Sequence, residues 1–168
     1  MKRHQVTAAA LAVAAVLSVA ACGESSPPAG QEQLDGIADA VTAVGKQRFP
    51  DVFAGVFTDV PAGRVIVWRK SSAEFDAAVA AQPWAAQVRL RDAAHSAGEL
   101  AQVRTTVTAD DAYWRSRGLE LNLIQLRYDG ECVEVGTIDP DRAETEMTAK
   151  YGESAPLCFF ESQGRAFL

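Results

Sequence analysis

Residues that do chemistry are scarce in this chain. It has two histidines, His4 and His95, and three cysteines, Cys22, Cys132 and Cys158. A zinc site built from the usual His and Cys ligands is therefore short of donors. No Gly-rich phosphate loop is present, so a nucleotide site has no support. Basic residues are in the minority, with 16 Lys and Arg against 22 Asp and Glu. Without a basic stripe the chain lacks the electrostatic footprint of a nucleic-acid binder. Long apolar runs are missing as well, with one exception. Ala8 to Ala21 is 14 residues of almost unbroken Ala, Val and Leu, shorter than the ~20 needed to span a bilayer.

That run has a positive start in Lys2 and Arg3 and a small-residue end, the layout of a secretory signal peptide over residues 1–21. Its last residues and the next, Val19-Ala20-Ala21-Cys22, resemble the lipobox of bacterial lipoproteins. The resemblance implies cleavage before Cys22 and acylation of that cysteine. The protein would then sit on the extracytoplasmic side of the cell membrane, with membrane lipid as its first partner. Ordinary signal peptidase also accepts Val19 and Ala21, and the two readings differ in the fate of the Cys22 thiol. Lipidation accounts for the odd cysteine and leaves Cys132 and Cys158 to pair in an oxidising compartment. Two free buried thiols are the alternative. A diacylated cysteine anchors firmly, because each buried methylene contributes about 0.8 kcal/mol and one chain alone binds only marginally. Loss of Lys2 and Arg3 with the signal leaves 14 basic residues against 22 acidic ones, a net charge of −8.

Residues 22–31 read as a flexible tether. Its Ser/Pro/Gly-rich sequence has nothing to pack and reaches roughly 30 Å at about 3.4 Å per residue. Residues 32–168 read as one domain, opening with a helix whose apolar stripe is Leu34, Ile37, Val41 and Val44 and which ends before Pro50. A β-β-α-β unit follows at about residues 52–91. Runs Val52–Val60 and Val65–Trp68 flank Pro61-Ala62-Gly63 as a hairpin. Ser71 and Glu74 fit a capping box for a helix reaching Gln82, and Gln87–Arg91 alternates as a strand with Val88 and Leu90 inward. Ser96 and Glu99 cap a linking helix, Thr108 and Asp111 predict a break and restart, and Gly118 stops it.

A second β-β-α-β unit spans about residues 119–161. Leu119–Tyr128 and Cys132–Ile138 flank Asp129-Gly130, the strongest short hairpin signal. A phase shift at Leu123-Ile124 predicts a bulge. Asp139 and Pro140 open a helix with the stripe Ala143, Met147, Tyr151, closed by Gly152. Leu157–Phe160 is the last strand. The expected class is α+β, two β-β-α-β repeats joined by a linking helix and preceded by an N-terminal helix, with helices against mainly antiparallel sheet. In the first hairpin, alternation places Phe53 and Phe57 on one face and Val52, Val56 and Val60 on the other. The face away from the helices then needs the N-terminal helix, the second repeat or a partner to cover it.

FAGVFTDVPAGRVIVW (Phe53–Trp68) resembles the hairpin of the pro-regions of alpha-lytic protease and the streptogrisins. HSAGELAQVRTTVTADDAYWRSRGLELNLIQLRYDGECVEV (His95–Val135) resembles their linking helix and second hairpin, and Lys150-Tyr151-Gly152 the end of their last helix. The resemblance covers roughly Phe53 to Phe160. It implies the two-repeat fold and a pro-region that assists folding of a chymotrypsin-like protease and then inhibits it through its tail, here Ser162–Leu168. The expectation differs from the family in two ways: no protease domain after Leu168, and a signal of lipoprotein type.

Candidate chemistry is thin. His95 lies near Asp92 and Ser96, but no nucleophile elbow accompanies them and Ser96 is already a cap. Asp110-Asp111 and Asp139 with Asp141 sit at helix starts, where the macrodipole favours negative charge over any need for calcium. Trp68, Trp84 and Trp114 suit the core better than a pocket. The expected function is that of a non-catalytic interaction module with no metal and no cofactor. Its partner is an extracytoplasmic protein, a secreted serine protease being one choice, and nucleic acid is excluded. The alternative is a small-ligand or peptide-binding lipoprotein with a pocket between the repeats.

Overall fold

Two three-stranded sheets, one per repeat, carry the fold. The computed structural model describes residues 30–164; Cys22, the rest of residues 1–29 and Arg165–Leu168 lie outside the described residues. In order come α1 (Gln31–Arg48), β1 (Phe53–Asp59), β2 (Arg64–Arg69), α2 (Ala73–Ala80), β3 (Val88–Asp92) and α3 (Ala97–Ala109). They are followed by α4 (Asp111–Ser116), β4 (Leu121–Leu126), β5 (Val133–Thr137), α5 (Pro140–Tyr151) and β6 (Leu157–Glu161). The class is α+β.

The sheet orders are β1-β2-β3 and β4-β5-β6. Each hairpin is antiparallel, but β3 runs parallel to β2 and β6 parallel to β5. The sheets are therefore mixed rather than mainly antiparallel. The reason is the crossover: α2 and α5 each carry the chain back so that the third strand starts at the same end as the second.

Helices α1 and α2 share one core with the first sheet, in which Leu34, Ile37 and Val41 meet Val65, Val67, Phe75 and Val79. Fully burying side chains of this size contributes about 1.5–3 kcal/mol each. Phe49, just past α1, meets Phe75 edge-on with ring centroids 5.3 Å apart. Phe53 belongs to this core too, whereas Phe57 is exposed, so the two do not share a face. A bulge at Ala54 explains it. Phe53 opposes Arg69 and Gly55 opposes Trp68, and the extra residue returns Phe53 to the same side as Val56. The second core gathers Val107, Trp114, Leu119, Val135, Ala143 and Met147.

Several boundaries moved by a residue or two. Lys70 N–H still bonds Val52 C=O of the sheet edge, so α2 starts one residue later than expected and Ser72, not Ser71, caps it. Helix α2 ends at Ala80, short of Gln82. The α3–α4 break is present, but Thr108 caps nothing: Asp110 stands at the junction and its backbone N–H bonds Val107 C=O. The β4 bulge falls at Asn122, one residue early, where the buried amide donates from Nδ2 to Ser162 C=O at 2.7 Å. The Ser96–Glu99 capping box and the Asp139–Pro140 helix start are as expected.

Candidate functional site

The repeats meet where the Asp129-Gly130 turn enters the first repeat. His95 N–H donates to Gly130 C=O at 3.0 Å. Gly130 has φ 72°, and a Cβ there would lie 2.5 Å from the His95 carbonyl oxygen and 2.8 Å from the Ala54 and Ala93 methyls. No other residue satisfies both demands. Just before it, Tyr128 lies on the helix-free face of the first sheet, stacked on Phe57 (5.6 Å) and edge-on to Trp68 (5.1 Å). Its carbonyl leaves no space for a side chain at Gly55. Tyr128 thus supplies the second repeat's part of the expected cover.

Beside this joint is a cleft of about 450 Å³. Helix α1 contributes Lys46, β1 its backbone from Phe53 to Val56, α3 Ala97, Ala101 and Arg104, and the end of β4 Arg127. The volume is that of an ordinary small-ligand site. Arg127 is already neutralised, bonded to Asp129 with Glu131 at 3.2 Å and Glu134 at 3.8 Å. Lys46 and Arg104 make no ion pair with any described residue. No tryptophan lines the cleft. Trp114 is fully buried, Trp84 packs on the first core, and Trp68 is under Tyr128.

The residues singled out in the sequence are dispersed among other partners. Ser96 Oγ accepts from Glu99 N–H at 3.1 Å. Asp92 pairs with Arg69, which also forks onto Asp76 at 2.8 and 2.9 Å. The Asp76 bond, with Asp92 behind it, holds the Arg69 guanidinium above its ordinary range against the cost of burial. His95 Nδ1 lies 4.0 Å from Glu99, not against a serine. The Lys70 ammonium, 2.6 Å away, and then the Ser96 N–H hold the Glu99 carboxyl below the usual carboxylate range. These three residues therefore form no relay.

The carboxylate clusters are similarly used. Tyr151 donates to Asp110 Oδ2 at 2.8 Å and accepts from Trp114 Nε1 at 3.0 Å, and Lys150 pairs with Asp110 at 3.4 Å. Burial, with the Asp110 carboxylate adding to it, pushes the Tyr151 phenol up to about 12. Asp111 pairs with Arg115, and Asp139 accepts from Arg142 N–H at 3.2 Å. Among the described residues no three His, Cys, Asp or Glu side chains gather as a metal site.

Cys132, just ahead of β5, is bonded to Cys158 on β6, with Cα atoms 5.9 Å apart. No helix among the described residues is long and apolar enough to cross a membrane. Compared with known family models and with curated proteins, the chain matches none. Sequence reasoning missed Lys46, Arg104 and Tyr128. No local pattern could have found the first two, since they come together only through the packing of α1 and α3 around β1.

Proposed function

We propose that this protein is a membrane-anchored, extracytoplasmic lipoprotein acting as a non-catalytic interaction module, with a chymotrypsin-like secreted protease as partner. The observation that carries the reading is the outer edge of the second sheet. There β6 is an edge strand, and Phe160 remains 36% exposed beside Gly136 and Leu123. Ser162 N–H donates to Thr137 C=O at 2.8 Å, while Asn122 holds the Ser162 carbonyl. The chain is thus pinned in extended form up to Ser162, the residue from which the tail Ser162–Leu168 departs. An edge strand with an apolar flank is a template for a partner's strand, and a pinned tail costs less to order on binding. The anchor rests on Val19-Ala20-Ala21-Cys22.

Two measurements test the two halves. Cys22→Ala should leave the membrane fraction of the native host; retention equal to wild type removes the lipid anchor. A soluble chain from residue 22 carrying Cys22→Ala should inhibit a streptogrisin-type protease, and stopping it at Glu161 should weaken inhibition at least about tenfold, as expected when about 1.4 kcal/mol of contact is lost. Equal potency excludes the tail, and no inhibition by either form ends the protease reading. A second reading, ligand or peptide binding between the repeats, is favoured by the unpaired Lys46 and Arg104 in the cleft.

A further inference from the structure

We propose that the cleft between the repeats is a carboxylate-binding site for an extended acidic peptide, with Lys46 and Arg104 receiving the carboxylate and β1 receiving the peptide backbone. The inference rests on the second reading above and not on the protease.

Charge is the first argument. The chain is acidic, at −6 overall, and most described Lys and Arg side chains are matched to a carboxylate, as Lys70 is to Glu99 and Arg142 to Glu146. Lys46 and Arg104 are unmatched, and they come from two different helices onto one cleft. Two cations converging on a concave site in an otherwise acidic protein focus the field on an anion. Arg127, on the far side, already has three carboxylates and adds little.

The second argument is backbone. β1 is an edge strand, pairing only with β2, so one rank of its N–H and C=O groups is outside the ladder. The cleft is lined by β1 from Phe53 to Val56. Opposite it, α3 presents Ala97 and Ala101, whose methyls leave room for a main chain to approach. A small carboxylate would need only the cations. An extended peptide uses the cations and the strand edge together, and exposed ion pairs alone are too weak to hold a ligand in water. The geometry therefore favours the peptide.

The test uses the soluble chain from residue 22 with Cys22→Ala. The probes are a fluorescein-labelled, amidated Thr-Val-Glu-Val-Thr-Val peptide, the same peptide with Gln for Glu, and glutarate. At low salt the Glu peptide should bind and shift the amide resonances of Ala54 to Val56, Ala97 and Ala101. Lys46→Gln with Arg104→Gln should weaken it at least about tenfold, and about 0.5 M salt should do the same because exposed charges are then screened. Both side chains are exposed and make no described hydrogen bond or ion pair, so the double variant should melt as wild type does. Arg89→Gln with Arg91→Gln, which removes the same charge from β3, should leave binding unchanged. Equal binding of the Gln peptide, equal loss in the β3 variant, or shifts at other amides would overturn the proposal. Glutarate reproducing the same shifts at the same concentration would overturn the peptide as occupant. The form ending at Glu161 should bind the Glu peptide fully, so failure of the protease reading and failure of this one are told apart.

Discussion

The two repeats share strand order, crossover helix and even the position of the bulge, yet they are closed by different means. In the first, Arg69 at the end of β2 ties α2 and β3 together through Asp76 and Asp92. In the second, the Cys132–Cys158 bond ties β5 to β6. One staple is ionic and the other covalent. The ionic one is partly wet, since the Asp92 side chain is 83% exposed, and water and salt weaken such a pair. The covalent one restricts the unfolded chain whatever the salt.

A second difference lies on the helix-free faces. In register, Gly55 opposes Trp68 in the first sheet, while Leu123 opposes Gly136 in the second. The glycine has changed strands. Gly55 leaves space for Tyr128 of the other repeat, whereas Gly136 leaves space for Phe160 and Ser162 of its own sheet. The same backbone thus serves once as a joint and once as a free face. Duplicated topology does not dictate assembly; the position of one missing side chain does.

The covalent staple should give the largest effect. Replacing Cys132 and Cys158 together by Ala should cost about 3–4 kcal/mol in urea unfolding, the chain-entropy value for a loop of this length. If hydrogen exchange then speeds up in β5 but not in β2, the repeats are separate folding units; equal loss in both makes them one. Next comes the joint. Gly130→Ala adds overpacking to a left-handed backbone and should cost about 3 kcal/mol. Gly63→Ala, at the equivalent hairpin turn of the first repeat, has φ 61° but nothing within 4 Å, and should cost only about 1 kcal/mol. Equal losses by thermal melting would mean that the turn does not join the repeats. The ionic staple should be the smallest. Arg69→Met should cost about 1–2 kcal/mol, and the gap from wild type should narrow in about 0.5 M salt. A gap that salt leaves unchanged would show that Arg69 acts through packing of its stem.

Elements whose signals are local could be read before the structure. Ser96 with Glu99, Asp139 with Pro140, and Asp129 with Gly130 each act through hydrogen bonds or backbone angles within a few residues. Ser71 misled because the strand-edge bond at Lys70 delays the helix by one residue, and that bond comes from Val52. Phe53 misled because strict alternation ignores the bulge at Ala54. The cleft was expected only as a place between the repeats. Its chemistry, Lys46 with Arg104, was invisible because α1 and α3 are joined by a whole repeat.

By itself, then, the chain determined its elements, their order in two repeats, and the pairing of its last two cysteines. Helix caps, turn residues and apolar period act over distances that a short peptide already contains, and with Cys22 assigned to lipid two thiols allow one pairing. Only the tertiary structure decided that each third strand would add in parallel, that Tyr128 rather than α1 would cover the first sheet's far face, and that two unmatched cations would share a cleft. Those outcomes depend on which surfaces meet, and that is set by the space Gly55 and Gly130 leave empty.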